Sequence, residues 1–212
     1  MNTTIKSAIA ACGLLAAVSM PLTAGTDTSF FSGKESYGSI GGFTQDNVYL
    51  EVSAFKVTAM SRSNKTNSPG ASIFGYFVDE SGCSWNGSGS TDTIQFKATG
   101  SPNSIPKTVT ASGSVSITWE SYCSSLTTPP SPIPEDTVRF EMNLSALTDQ
   151  GSSNWGTSHT EYADIRINSH FNQKQAPAAV NDSSFISSNF GSVIISSAYV
   201  GQSKWFDVEI AR

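Results

Sequence analysis

The 212-residue chain carries 12 Lys+Arg against 17 Asp+Glu, a net charge of −5 at pH 7. With that balance and no basic run, it lacks the cationic surplus by which nucleic-acid binders neutralise phosphates. Only 14% of its residues are charged; Ser, Thr, Gly and Asn carry the polarity, and their short side chains favour turns and strands over helix interiors.

The chain opens with Lys6, an apolar run from Ser7 to Val18, a break at Pro21 and a small residue at Ala24. This is the layout of a secretory signal peptide, so residues 1–24 are set apart and residues 25–212 are expected to form a single exported domain. The apolar run, about 12 residues, is short of the roughly 20 needed to span a bilayer as a helix. No later segment approaches that length, so no membrane span is expected after signal removal. A secreted or periplasmic location, in a bacterium by the look of the short signal, follows as an expectation.

The rest reads as strands. In "NVYLEVSAFKVTA" Val48, Leu50 and Val52 alternate, then Phe55 and Val57 take the opposite parity, which predicts a bulge near Ser53–Ala54. "ASIFGYFVD" is apolar on both parities, as a strand covered on both faces would be. "SGCSWNGSGSTDTIQF" starts as a run of turn residues and ends in a strand with Ile94, Phe96 and Ala98 on one face. "KTVTASGSVSITWE" keeps Val109, Ala111, Gly113, Val115, Ile117 and Trp119 on one parity, and "TVRFEMNL" does the same for Val138, Phe140, Met142 and Leu144. Between them the Pro-rich "TTPPSPIPED" reads as a stiff exposed loop. "ADIRIN", "SVIISSAYV" and "KWFDVEI" complete the set. Eight to ten such strands between Gly/Ser/Asn/Pro turns predict an all-β, two-sheet antiparallel β-sandwich, of jelly-roll or immunoglobulin-like Greek-key type.

Cys12 lies in the signal segment, leaving Cys83 and Cys123. Two cysteines in an exported chain are expected to form one disulfide. An echo supports hairpin ends of similar build at these two sites: Asp92-Thr93-Ile94-x-Phe96 after Cys83 matches Asp136-Thr137-Val138-x-Phe140 after Cys123. The disulfide is expected to tie those two ends together.

Catalytic signatures are missing. There is no G-x-S-x-G elbow, H-E-x-x-H or phosphate-cradling glycine loop. "SIPK" (Ser104–Lys107) fits S-x-x-K, but Pro106 sits where the helical turn would have to form. Asp207 and Glu209 are the nearest approach to paired carboxylates and read as a solvated strand face. His159 and His170, if they flank a single strand, would stand about 30 Å apart, too far for a shared metal. No enzyme activity, cofactor or metal site is expected.

The aromatics give the better lead. Trp119 and Trp205 fall on strands and read as core or half-buried. Trp85 and Trp155 fall in apparent loops, where a large ring either plugs the end of the core or is displayed. With display, Trp85, Asn86, Asn154, Trp155 and Tyr162 would form a carbohydrate-binding site, the rings stacking on sugar C–H faces and the amides supplying directional hydrogen bonds. The expected function is a secreted non-catalytic binding or surface module with a glycan or surface protein as partner. The alternative is a structural or assembly subunit, with a glycan-active hydrolase behind both.

Overall fold

A computed structural model describes residues 28–60, 65–101, 103–123, 133–148, 151–161 and 165–211. The expected signal segment, most of the Pro-rich loop and Tyr162 lie outside them. The described residues form twelve strands, β1 (Thr28–Phe43), β2 (Tyr49–Met60), β3 (Lys65–Val78), β4 (Ser84–Thr91), β5 (Ile94–Thr99), β6 (Thr108–Tyr122), β7 (Asp136–Ala146), β8 (Ser152–Glu161), β9 (Ile165–Val180), β10 (Phe185–Ser188), β11 (Gly191–Ser192) and β12 (Ile194–Ala211). Every pairing between them is antiparallel. The all-β expectation holds, and Cys83 is bonded to Cys123.

The sheet does not separate into the two layers of the expected sandwich. Its strands follow one path, β11-β10-β7-β6-β4-β3-β2-β1-β12-β9-β8, and a further β7–β9 pairing closes eight of them into a ring. The physical reason lies in two long strands that change neighbours along their length. Along one edge, β6 pairs with β5 over Thr108–Gly113 and with β4 over Thr118–Tyr122. Similarly, β9 leaves β8 and joins β7 at Ala178–Val180. Closing a sheet on itself satisfies edges that two open layers would leave free.

The ring is filled by the residues whose alternation the sequence displays. Val109, Ala111, Val115, Ile117 and Trp119 of β6, and Val138, Phe140, Met142 and Leu144 of β7, are buried, with Ile40, Leu50, Val52 and Val200 facing them from the opposite wall. The alternate positions Thr110, Ser114, Ser116, Thr118, Thr137 and Arg139 are exposed. Along β6 and β7 the wall is therefore apolar inside and polar outside, the reverse of a membrane barrel, whose outward residues are apolar. No helix among the described residues is long and apolar enough to cross a membrane.

Two sequence expectations are corrected here. β2 has no bulge: it keeps an unbroken register with β1 from Tyr49 to Met60. The parity change has another cause. Val52 and Ala54 still face the core, but past it Lys56 and Thr58 take the inner positions while Phe55 and Val57 lie on the other face. The register shift falls instead between Gly41 and Gly42, opposite Ser197 and Ile195. Second, β4 occupies the stretch "SWNGSGST" that reads as turn residues. Its glycine at 87 lies opposite Trp119, and a Cβ there would stand 2.6 Å from Ile117 Cδ1 and 2.8 Å from Trp119 Cε3. Glycine at that position reports close packing, not a turn.

The Asp-Thr-(Ile/Val)-x-Phe echo also has a structural meaning. Its two copies begin β5 and β7, the strands that flank β6, and Ile94 and Phe140 both lie opposite Gly113. The disulfide lies outside both copies and joins Cys83 to Cys123 as expected. It continues the β4–β6 register one step beyond Ser84 opposite Tyr122, at a Cα–Cα distance of 4.7 Å.

Candidate functional site

The corner around Cys83 is a packed core end. Trp85 is 4% exposed and stacks on Phe77 with ring centroids 6.0 Å apart and planes 3° from parallel. Its indole N–H donates to Asp79 Oδ2 at 3.0 Å. Asp79 Oδ1 meanwhile accepts from the backbone N–H of Ser81 and of Cys83, both at 2.9 Å, and from the Ser81 hydroxyl at 2.6 Å. The Ser81 hydroxyl and the indole N–H hold the Asp79 carboxyl down to about 2. Of the two readings of this tryptophan, the end plug describes where the ring sits.

That carboxylate gives a pH prediction. A depressed folded-state pKa contributes stability that is complete above the unfolded value near 4 and is lost as pH falls toward 2. The urea midpoint of the wild type is expected to drop between pH 4 and pH 2. The Asp79→Asn variant should start lower at pH 5, because an amide cannot accept from all four donors, and should lose less over that interval. Equal losses in the two proteins would show that another carboxylate carries the acid sensitivity.

Several of the rings that reach solvent gather on the outer face of β1–β3, in rows continued by β4 and β12. One cross-strand row runs Asn86, Tyr76, Tyr49, Phe43, Ile194, each directly opposite the next. The row below it begins Ser88, Phe74, Glu51, Gly41, Ser197. Ile194 is 68% exposed, Phe43 50%, Phe74 47% and Tyr76 39%. Tyr49 stands between Phe43 (centroids 5.2 Å, 60°) and Phe74 (6.4 Å, 58°), so neighbouring rings present edges and faces in turn. "ASIFGYFVD" was expected to be covered on both faces; Ala71 and Ile73 are buried, whereas Phe74, Tyr76 and Val78 are uncovered.

The polar groups among these rings are fixed. Glu51 accepts from the Ser39 hydroxyl at 2.8 Å through one oxygen and from the Tyr49 hydroxyl at 2.9 Å through the other. Ser53 donates to the Ser39 oxygen at 3.2 Å. Burial, then the neighbouring Glu51 charge, pushes the Tyr49 phenol well above its ordinary value, so it stays a donor at any physiological pH. Farther along the face Tyr37 accepts from Gln173 at 3.0 Å and donates to Gln175 at 3.2 Å, and burial holds it up at about 12.

Of the five residues of the expected glycan site, the structure describes the side chains of Trp85 and Asn86. Trp85 is in the core, and Asn86, next to it on β4, points the other way and ends the outer aromatic row. Asn154 and Trp155 lie within β8, not in a loop, opposite Gln173 and Asn172; their side chains are outside the described set, as is Tyr162 altogether. No strand pairing joins β4 to β8. The two histidines are closer than a single strand would put them. β8 and β9 form a hairpin in which His159 is opposite Asn168 and Thr157 opposite His170. Among the described residues no three His, Cys, Asp or Glu side chains gather as a metal site.

No family model matches the chain, and no curated protein matches it. Among solved structures the chain is similar to the crystal structure of the beta domain of the Bordetella autotransporter Brka. The identity is 7%, the match covers 87% of this chain and 98% of that one, and the TM-score is 0.17.

Proposed function

We propose that the chain is a non-catalytic binding module that takes a carbohydrate on the outer face of β1–β4, at Phe43, Tyr49, Phe74, Tyr76 and Asn86. The supporting observation is the alternation on that face of uncovered rings with anchored polar groups: Phe43, Phe74 and Tyr76 expose two-fifths to half of their area beside the Glu51–Ser39–Tyr49 network. A sugar ring carries partly positive C–H groups that suit the negative face of an aromatic, and its hydroxyls need fixed donors and acceptors nearby. A protein-docking core would instead be depleted of charge at its centre, where Glu51 sits. The location of Phe43 and Phe74 on strands, not loops, favours a preformed site.

Binding to an array of neutral and acidic glycans is the test. The Phe43→Ala/Phe74→Ala double variant is expected to lose at least about tenfold in affinity for whichever glycan the wild type retains. A wild type that binds no glycan, or a double variant that binds as well as wild type, would refute the site. Concentration-dependent self-association that the same double variant abolishes would assign this face to assembly instead.

A further inference from the structure

Past the apolar core, the inner positions of β1 and β2 change character. Val52 and Ala54 give way to Lys56 and Thr58 on β2, and Ile40 and Gly38 to Ser36 and Lys34 on β1. Across from them β5 contributes Phe96 and Ala98; Lys97 between them borders the cleft, but by alternation its exposed side chain lies on the other face, with Thr110. Together these residues line an open cleft of about 270 Å³ whose described lining contains no acidic side chain. Lys204 stands opposite Lys34 in the β1–β12 register and donates to Asn103 Oδ1 at 2.7 Å. In a chain with 12 Lys+Arg and a net charge of −5, three lysines, Lys204, Lys34 and Lys56, share the inner face of three neighbouring strands. The nearest carboxylates along β1 and β2, Glu35 and Glu51, alternate to the opposite face. Burial and, second, the Lys204 charge lower the Lys34 pKa.

We propose that the cleft lined by Lys34 and Lys56 binds a tetrahedral oxyanion, a sulfate or phosphate group, free or carried as an ester on a larger ligand. Ammonium groups act as point charges, which suits a tetrahedral anion approached from several sides; the planar fork that selects carboxylates belongs to arginine. The Ser36 and Thr58 hydroxyls between the lysines supply neutral donors, and Phe96 offers an apolar wall to the carbon skeleton of an ester. The cleft is on the opposite face of β1 and β2 from the aromatic row, so the two sites stand or fall separately.

Calorimetric titration of the full chain at low salt with sodium sulfate, sodium phosphate and dextran sulfate tests this. Binding of at least one probe is expected, weakening as salt is added. The Lys34→Gln/Lys56→Gln variant should lose at least about tenfold in affinity, and the Arg139→Gln variant, changed on the opposite wall, should bind as wild type. Lys56→Gln alone should weaken binding measurably and keeps the test open if the double variant does not fold. On binding, the Lys34 ammonium pKa followed by NMR should rise. Uptake of the simple ions identifies a free anion as ligand, and cleft-dependent uptake of dextran sulfate alone identifies a polymer-borne ester. Absence of binding to all three probes, or equal binding by the lysine variants, overturns the proposal.

Discussion

Removing the Cys83–Cys123 bond is expected to lower stability by roughly 4 kcal/mol, the chain-entropy value for cross-linked residues separated by 40 positions. The site of the bond sharpens the expectation. β4 meets β6 through only the pairs from Ser84–Tyr122 to Ser88–Thr118, and the disulfide closes the end of that short seam. Urea unfolding of the oxidised protein, the reduced protein and the Cys83→Ser/Cys123→Ser variant measures the effect. The last two should agree and should lie well below the first. A midpoint unchanged by reduction would mean that the seam is held by the Trp85, Trp119 and Phe77 rings without the covalent link.

A change of similar size is expected at Phe140. It is 2% exposed, among the largest fully buried side chains, and lies between Gly113 of β6 and Ile186 of β10 in the strand register. Phe140→Ala should cost about 3–5 kcal/mol, the transfer term plus the cavity left where the facing Gly113 has no side chain to move in. Phe140→Leu should lose a smaller part of this. Domains of this kind have about 5–15 kcal/mol in total, so Phe140→Ala is expected to fold in the oxidised protein and to fail in the cysteine-free background. Thermal or urea unfolding of the single and combined variants checks both statements. A loss below about 1 kcal/mol would mean that the ring is not part of a close-packed interior.

The parts of the fold legible in the sequence are those where packing and alternation coincide. β6 and β7 keep one apolar parity because one wall of the ring faces the core along nearly all their length. β1 and β4 give no such signal. Their pairing depends on residues without side chains: Tyr37 lies over Gly201, Trp205 over Gly33, and Trp119 over Gly87, with Phe55 over Gly70 and Phe171 over Gly156 elsewhere in the sheet. An aromatic directly across from a glycine covers exposed backbone and fixes register. Read along one strand, however, the glycine resembles a turn and the ring an isolated apolar residue. The same blindness hid the candidate site. Phe43, Tyr49 and Tyr76 form a row only once β1, β2 and β3 are aligned, and "ASIFGYFVD" by itself cannot tell a covered face from a displayed one. The lysine cleft was equally out of sight, since Lys34, Lys56 and Lys204 are dispersed through an acidic chain. Only Asn86, chosen for its place beside Trp85, lies on the outer row, and it does so because neighbours on a strand face opposite ways.

The pairing of β1 with β12 sets the order in which the molecule can be finished. β1 is flanked by β2 and by the last strand, along sixteen register positions from Thr28 opposite Ile210 to Phe43 opposite Ile194. As the chain emerges from the ribosome, or is threaded through a narrow pore, β1 and β2 can join early, but the far edge of β1 stays open until the eighteen residues of β12 arrive. β9 waits for the same strand on its own edge. Contacts between the two ends of a chain are the slowest to form, and an open edge is where a second copy adds itself. A chain that stalls or is clipped before Ile194 would therefore offer two sticky margins at once, which makes late truncation, more than any interior substitution, the event most apt to turn this sheet toward aggregation.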